Sequence, residues 1–108
     1  MSVEGGGDWK DAFYAVQQGD IDLVRYHIRQ GIDLDFQHME AFSTLLLESV
    51  EHNQLEIARL LLESGADPKK AEGYGGVTPL KLAKEKKNKE MILLIKEYLP
   101  KSSLFRRR

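Results

Sequence analysis

The sequence predicts an all-α protein made of stacked helix–turn–helix units. Three observations predict it. The chain resembles itself at a fixed step that carries Gly31 onto Gly65 and Thr44 onto Thr78, apolar residues in each copy recur at helical spacing, and turn and capping residues fall at matching places. No stretch alternates apolar and polar residues in the way a half-buried strand does. The expected domains are a flexible N-terminal segment over 1–8, a repeat domain over 9–100 and a basic tail over 101–108. The repeat domain divides into units of about 9–42, 43–76 and 77–100.

At that step the segment Gly19–Leu34 lies over Asn53–Pro68, with identical pairs at Arg25/Arg59, Gly31/Gly65 and Asp33/Asp67. A third unit opens with Thr78-Pro79-Leu80, opposite Thr44-Leu45-Leu46, and its second helix, Lys89–Leu99, matches Leu55–Gly65. Three units are the smallest number that buries a continuous core by stacking. Leu23, Val24 and Ile28 share one helical face, as do Ile57, Ala58, Leu61 and Leu62, and then Met91, Ile92 and Ile95. Thr44 and Thr78 precede helices and can cap them, and Pro79 suits a first helical position. Gly31 and Gly65 fall just past helices, where a left-handed residue ends the last turn. Gly19 and Asn53 occupy the sharp turns between paired helices, and Pro100 stops the last helix.

Composition narrows the function classes. The chain has 108 residues, 42% apolar and 31% charged, which is one domain of ordinary composition. It has no cysteine, which removes disulfides, thiolate metal sites and cysteine nucleophiles. No apolar run has the length of roughly 18 residues or more that a membrane span needs. The N-terminus lacks the basic and apolar regions of a secretory signal, so a cytoplasmic location is expected. The net charge of −1 hides an asymmetry. Residues 1–54 carry three basic side chains against ten acidic, and residues 55–108 carry thirteen against seven.

No residue pattern reads as an active site, so no enzymatic activity, cofactor or small-molecule substrate is expected. His27, His38 and His52 lack metal-ligand spacing, and His27 aligns with the core residue Leu61, which marks it as a tolerated, partly buried histidine. Ser43, Ser49 and Ser64 have no nucleophile-elbow context. Gly73-Tyr74-Gly75-Gly76 has no following lysine and follows no strand, so it is a turn rather than a phosphate loop. Asp20 and Asp22 complement a helix N-terminus. The three arginines that end the tail are fewer than the five to eight basic residues of a typical nucleic-acid patch, so nucleic acid is not the expected partner.

These residues resemble the ankyrin repeat. Thr78-Pro79-Leu80 with Ala83 match the family's opening motif, Leu55-Glu56-Ile57-Ala58 with Leu60-Leu61 its second helix, and Gly65-Ala66-Asp67 its close. The resemblance covers about residues 9–99 and implies a small solenoid with capping units at both ends. The departures are specific. Phe13, Leu47 and Lys81 replace the histidine of the opening motif, Leu45 stands where proline is usual, and Lys87 takes a turn position normally held by glycine. The lysines of the third unit suit a terminal repeat whose outer face meets water. Trp9, Phe13 and Tyr14 are expected to cap the other end with aromatic bulk.

What the resemblance implies about function is protein binding, through loop tips and the ends of the first helices along a concave face. Carried over by position, the helix ends are Gln17 and Gln18, Glu51 and His52, and Glu85 and Lys86, and the loop tips include Met39, Glu40, Phe42 and Tyr74. Phe42 is either an aromatic anchor for a partner or a residue packed on Leu46 or Leu47. The acidic first half is expected to meet a basic patch on a protein partner. Two alternatives share this surface: an inhibitor or immunity-type protein that blocks an enzyme, and weak self-association of an otherwise monomeric chain through its acidic and basic ends.

Overall fold

One backbone device closes every hairpin of the chain. After the first helix of each pair the backbone reverses through a left-handed residue, at Gly19 (φ 79°), Asn53 (φ 57°) and Lys87 (φ 58°). In each case two amides turn back onto the helix: Gly19 and Asp20 donate to Val16 and Ala15, Asn53 and Gln54 to Val50 and Ser49, and Lys87 and Asn88 to Lys84 and Ala83. Gly31 (φ 88°) and Gly65 (φ 107°) end the second helices of the first two pairs in the same way. Lys87 holds this conformation with a Cβ, at a cost of about 1 kcal/mol that glycine avoids.

The computed structural model describes residues 5–37, 42–73 and 75–100, with side chains described from Trp9 onward. Six helices follow in order: α1 Gly5–Gln18, α2 Ile21–Arg29, α3 Leu45–Glu51, α4 Leu55–Glu63, α5 Pro79–Glu85 and α6 Lys89–Tyr98. No strand occurs among the described residues. Helix α1 starts at Gly5, upstream of Trp9 where the sequence pattern opens its first unit. Gly5, Gly6 and Gly7 are poor helix formers and offer no pattern to read.

Side-chain caps begin most of the other helices. The Thr44 and Thr78 hydroxyls accept from the amides of Leu47 and Lys81, the Asp20 carboxylate from Leu23, and the Asn88 side chain from Met91. Gln54 precedes α4 without a side-chain cap bond; its amide group lies against Gly19, where an added Cβ would come within 3.0 Å.

The pairs α1–α2, α3–α4 and α5–α6 stack so that α1, α3 and α5 form one layer and α2, α4 and α6 the other. The inner layer closes on small residues at equivalent places of the three units: Ala15, Ser49 and Ala83 are each wholly buried. The Ser49 hydroxyl is satisfied there by donating to the carbonyl of Leu46 at 2.7 Å. Leu47 and Val50 are buried, whereas Lys81 and Lys84 at the equivalent places in α5 are exposed. In the outer layer, buried Leu62 gives way to exposed Lys96. The last unit therefore meets water with lysines where the middle unit meets a neighbour. At the other end Trp9 and Phe13 pack edge to face, with centroids 5.2 Å apart, and Phe36 of the following loop closes on Trp9. Tyr14 does not join this cap; it is 61% exposed.

His27 occupies the core position that Leu61 and Ile95 fill in the next two units. It is fully packed rather than partly buried, and its Nε2 atom has no hydrogen-bond partner among the described residues. A buried polar atom left in this state costs about 1–3 kcal/mol. Replacing it with the middle unit's residue, His27→Leu, should raise the free energy of unfolding by about 1 kcal/mol, measured by urea denaturation. A loss of stability would show that the imidazole is satisfied in solution.

Candidate partner-binding site

The repeat step places the ends of α1, α3 and α5 side by side, and their side chains bond from unit to unit. Gln17 donates from Nε2 to Glu48 Oε1 at 3.1 Å. The Lys86 ammonium lies 3.2 Å from a Glu51 carboxylate oxygen. His52, the C-cap of α3, has its Nε2 3.6 Å from Glu48 Oε1, and Asn88 donates to Asn53 Oδ1 at 3.0 Å across the turns. Four of the expected binding residues, Gln17, Glu51, His52 and Lys86, thus form one strip held by contacts among its own members. Gln18 is exposed at the end of α1, apart from those contacts. Met39, Glu40 and Tyr74, like His38 and the 101–108 tail, lie outside the described residues.

The loops carry a second set of cross-unit bonds. Asp35 accepts the amide of Asp67 at 2.8 Å, and Gln37 donates to the Ala71 carbonyl at 2.9 Å. The Phe42 carbonyl accepts the amide of Gly73 at 2.8 Å and the Gln37 side chain at 3.3 Å. Glu72 and Val77 close the following loop through a 2.9 Å backbone bond, and the Glu72 carboxylate takes the amide of Gly75. Pinned in this way, Phe42 adopts a left-handed φ of 54°, which is rare for a bulky residue.

Helix strip and loops meet at a cleft of about 260 Å³. Phe42, Ser43, Leu47, Val77 and Leu82 line it together with Glu48, Glu51, Glu72 and Glu85. Of the expected residues, Phe42, Glu51 and Glu85 face this space. Phe42 and Leu47 both line this space, and Phe42 keeps 37% of its surface exposed. Four carboxylates therefore surround an apolar floor, and no lysine or arginine is among the described lining residues. Glu51 and Glu85 end α3 and α5; the last turn of α3 has no basic residue, while that of α5 also holds Lys84. Acidic side chains at helix C-termini oppose the macrodipole, so helix stability does not account for them. They deepen a negative potential that the carbonyl ends already create.

Sequence reasoning missed Glu48, Leu82, Leu47, Glu72 and Val77 in the cleft, and exposed Tyr14 at the equivalent place of the first unit. The signal for three of them was present. Tyr14, Glu48 and Leu82 are equivalent places in successive units, and they stand one turn before Gln17, Glu51 and Glu85. Among the described residues no group of three or more histidine, cysteine, aspartate or glutamate side chains is arranged to hold a metal ion. No helix there is long and apolar enough to cross a membrane.

Equivalent side chains recurring in successive stacked helical hairpins define a repeat protein. The family profile described as ankyrin repeats in three copies matches residues 12–103, and the chain belongs to that family. Ankyrin repeats are in general protein-interaction modules. The chain is also 39% identical over 69 residues to the 2-5A-dependent ribonuclease of Homo sapiens. That match takes in 64% of this chain and spans 9% of the ribonuclease.

The exposed Glu51–Lys86 pair positions the strip without carrying much stability. A double-mutant cycle with Glu51→Gln and Lys86→Met should give a coupling below about 1 kcal/mol that fades in molar salt. A coupling of several kcal/mol would mean that the pair is shielded from water.

Proposed function

We propose that this chain is a non-catalytic module that binds a basic surface of another protein through its first-helix ends and loop tips. The observation that carries this reading is the cleft between the second and third units, with four carboxylates around an apolar floor. Its lining comes from the second and third units with Phe42 at the end of the first, so the site exists only in the stacked chain. The family supports the same conclusion, because its repeats serve as interaction modules.

The chemistry of the strip favours binding over catalysis. Its histidine–carboxylate contact, His52 with Glu48, is 3.6 Å long. The Ser49 and Thr44 hydroxyls are turned to local structural bonds. The human ribonuclease owes its activity to a protein of which this match spans under a tenth, so that activity is not carried over. A cytoplasmic setting and a monomeric state fit the same reading.

Attraction between an acidic face and a basic partner depends on ionic strength. With a partner captured from the source cell, affinity should fall steeply between about 0.01 M and 0.15 M salt, where the screening length shortens from about 30 to 8 Å. The Glu51→Gln/Glu85→Gln variant should bind about tenfold more weakly at low salt, mainly through slower association. Affinity indifferent to both salt and the double variant would contradict the reading.

A further inference from the structure

We propose that the cleft between the second and third units receives a single arginine side chain, presented by an extended basic segment of the partner. The proposal rests on the acidic-face reading and names what enters the site. Size points to one side chain. At about 260 Å³ the recess falls below the roughly 300–1,000 Å³ of pockets that hold drug-sized ligands.

The lining selects which side chain. Phe42, Leu47 and Leu82 offer apolar and aromatic surface, which suits an aliphatic stem and the flat face of a guanidinium. A wholly apolar side chain would match that floor but leave the carboxylates unanswered. Glu48 and Glu51, one turn apart on α3, approach from one unit and Glu85 from the next. The Glu85 carboxylate has no hydrogen-bond or ion-pair partner among the described residues, while those of Glu48 and Glu51 keep lone pairs beyond their bonds to Gln17, His52 and Lys86. Acceptors on both walls match the five donors of a guanidinium fork better than the three of an ammonium.

The test uses the full chain and two short, flexible, fluorescein-labelled peptides of equal positive charge, one with arginines and the other with lysines. Binding is read by anisotropy at low salt and mapped by amide shifts in ¹⁵N-labelled protein. The arginine peptide should bind more tightly, with its largest shifts at Phe42, Leu47, Leu82 and Glu85. Phe42→Ala and Glu85→Gln should each weaken it about tenfold. Glu85→Gln alters an exposed side chain without a described partner, so an unchanged thermal midpoint separates loss of binding from loss of fold. Equal binding of both peptides, indifferent to the two variants and mapped elsewhere on the acidic strip, would overturn the arginine recess and leave the broader reading standing. Failure of both peptides to bind at low salt would overturn the two together.

Discussion

The close stacking of α1, α3 and α5 is the constraint on which the remaining structure depends. Ala15, Ser49 and Ala83, one on each of these helices, are wholly buried, and a larger side chain at any of them would push neighbouring helices apart. Because these residues recur at one fixed step, the side chains two residues further along recur at the same step. The fold thereby lines up Gln17, Glu51 and Glu85 without any of them contributing to the core. Packing sets the spacing, and the exposed residues inherit it.

That inheritance explains how a chain of this size can hold an ordered exposed strip apart from its stability. The strip residues bond mainly to each other, through exposed contacts of small individual worth. The loops are tied more firmly, through backbone donors and acceptors around Phe42, Gly73, Glu72 and Val77. A left-handed phenylalanine and acidic helix ends both run against local preference, and both occur at the cleft. Departures from local preference gathered at one place support our proposal that this cleft is a binding surface.

The fold was legible from sequence because its signals are local and repeated. Thr44, Thr78, Gly31, Gly65 and Pro79 each announce a helix end by their own chemistry, and the repeat multiplies that signal. The loop-bracing partners were less visible. Asp35 to Asp67 and Gln37 to Ala71 are contacts between units, and no local pattern marks which polar side chain will find which amide. The helix-end residues of the site followed from the repeat frame, whereas Val77 carries no mark that singles it out and Leu82 shows only its repeat place. Their exposure to a recess is a property of how two units meet. Tyr14 was misjudged for a related reason: an aromatic in a terminal unit suggests capping, but its register places it on the open face. His27 showed the opposite pattern, since alignment with Leu61 identified its place while burial decided its energetic character.

The register of the stack is best examined through side-chain bonds between equivalent units. Nuclear Overhauser effects should join the Asn88 side-chain amide to Asn53, and the Gln17 side-chain amide to Glu48, since both pairs lie within hydrogen-bond distance. Observing both in the free protein is the predicted result. Their absence, with either side chain instead contacting residues from another turn, would contradict the stacked arrangement and remove the cleft built on it.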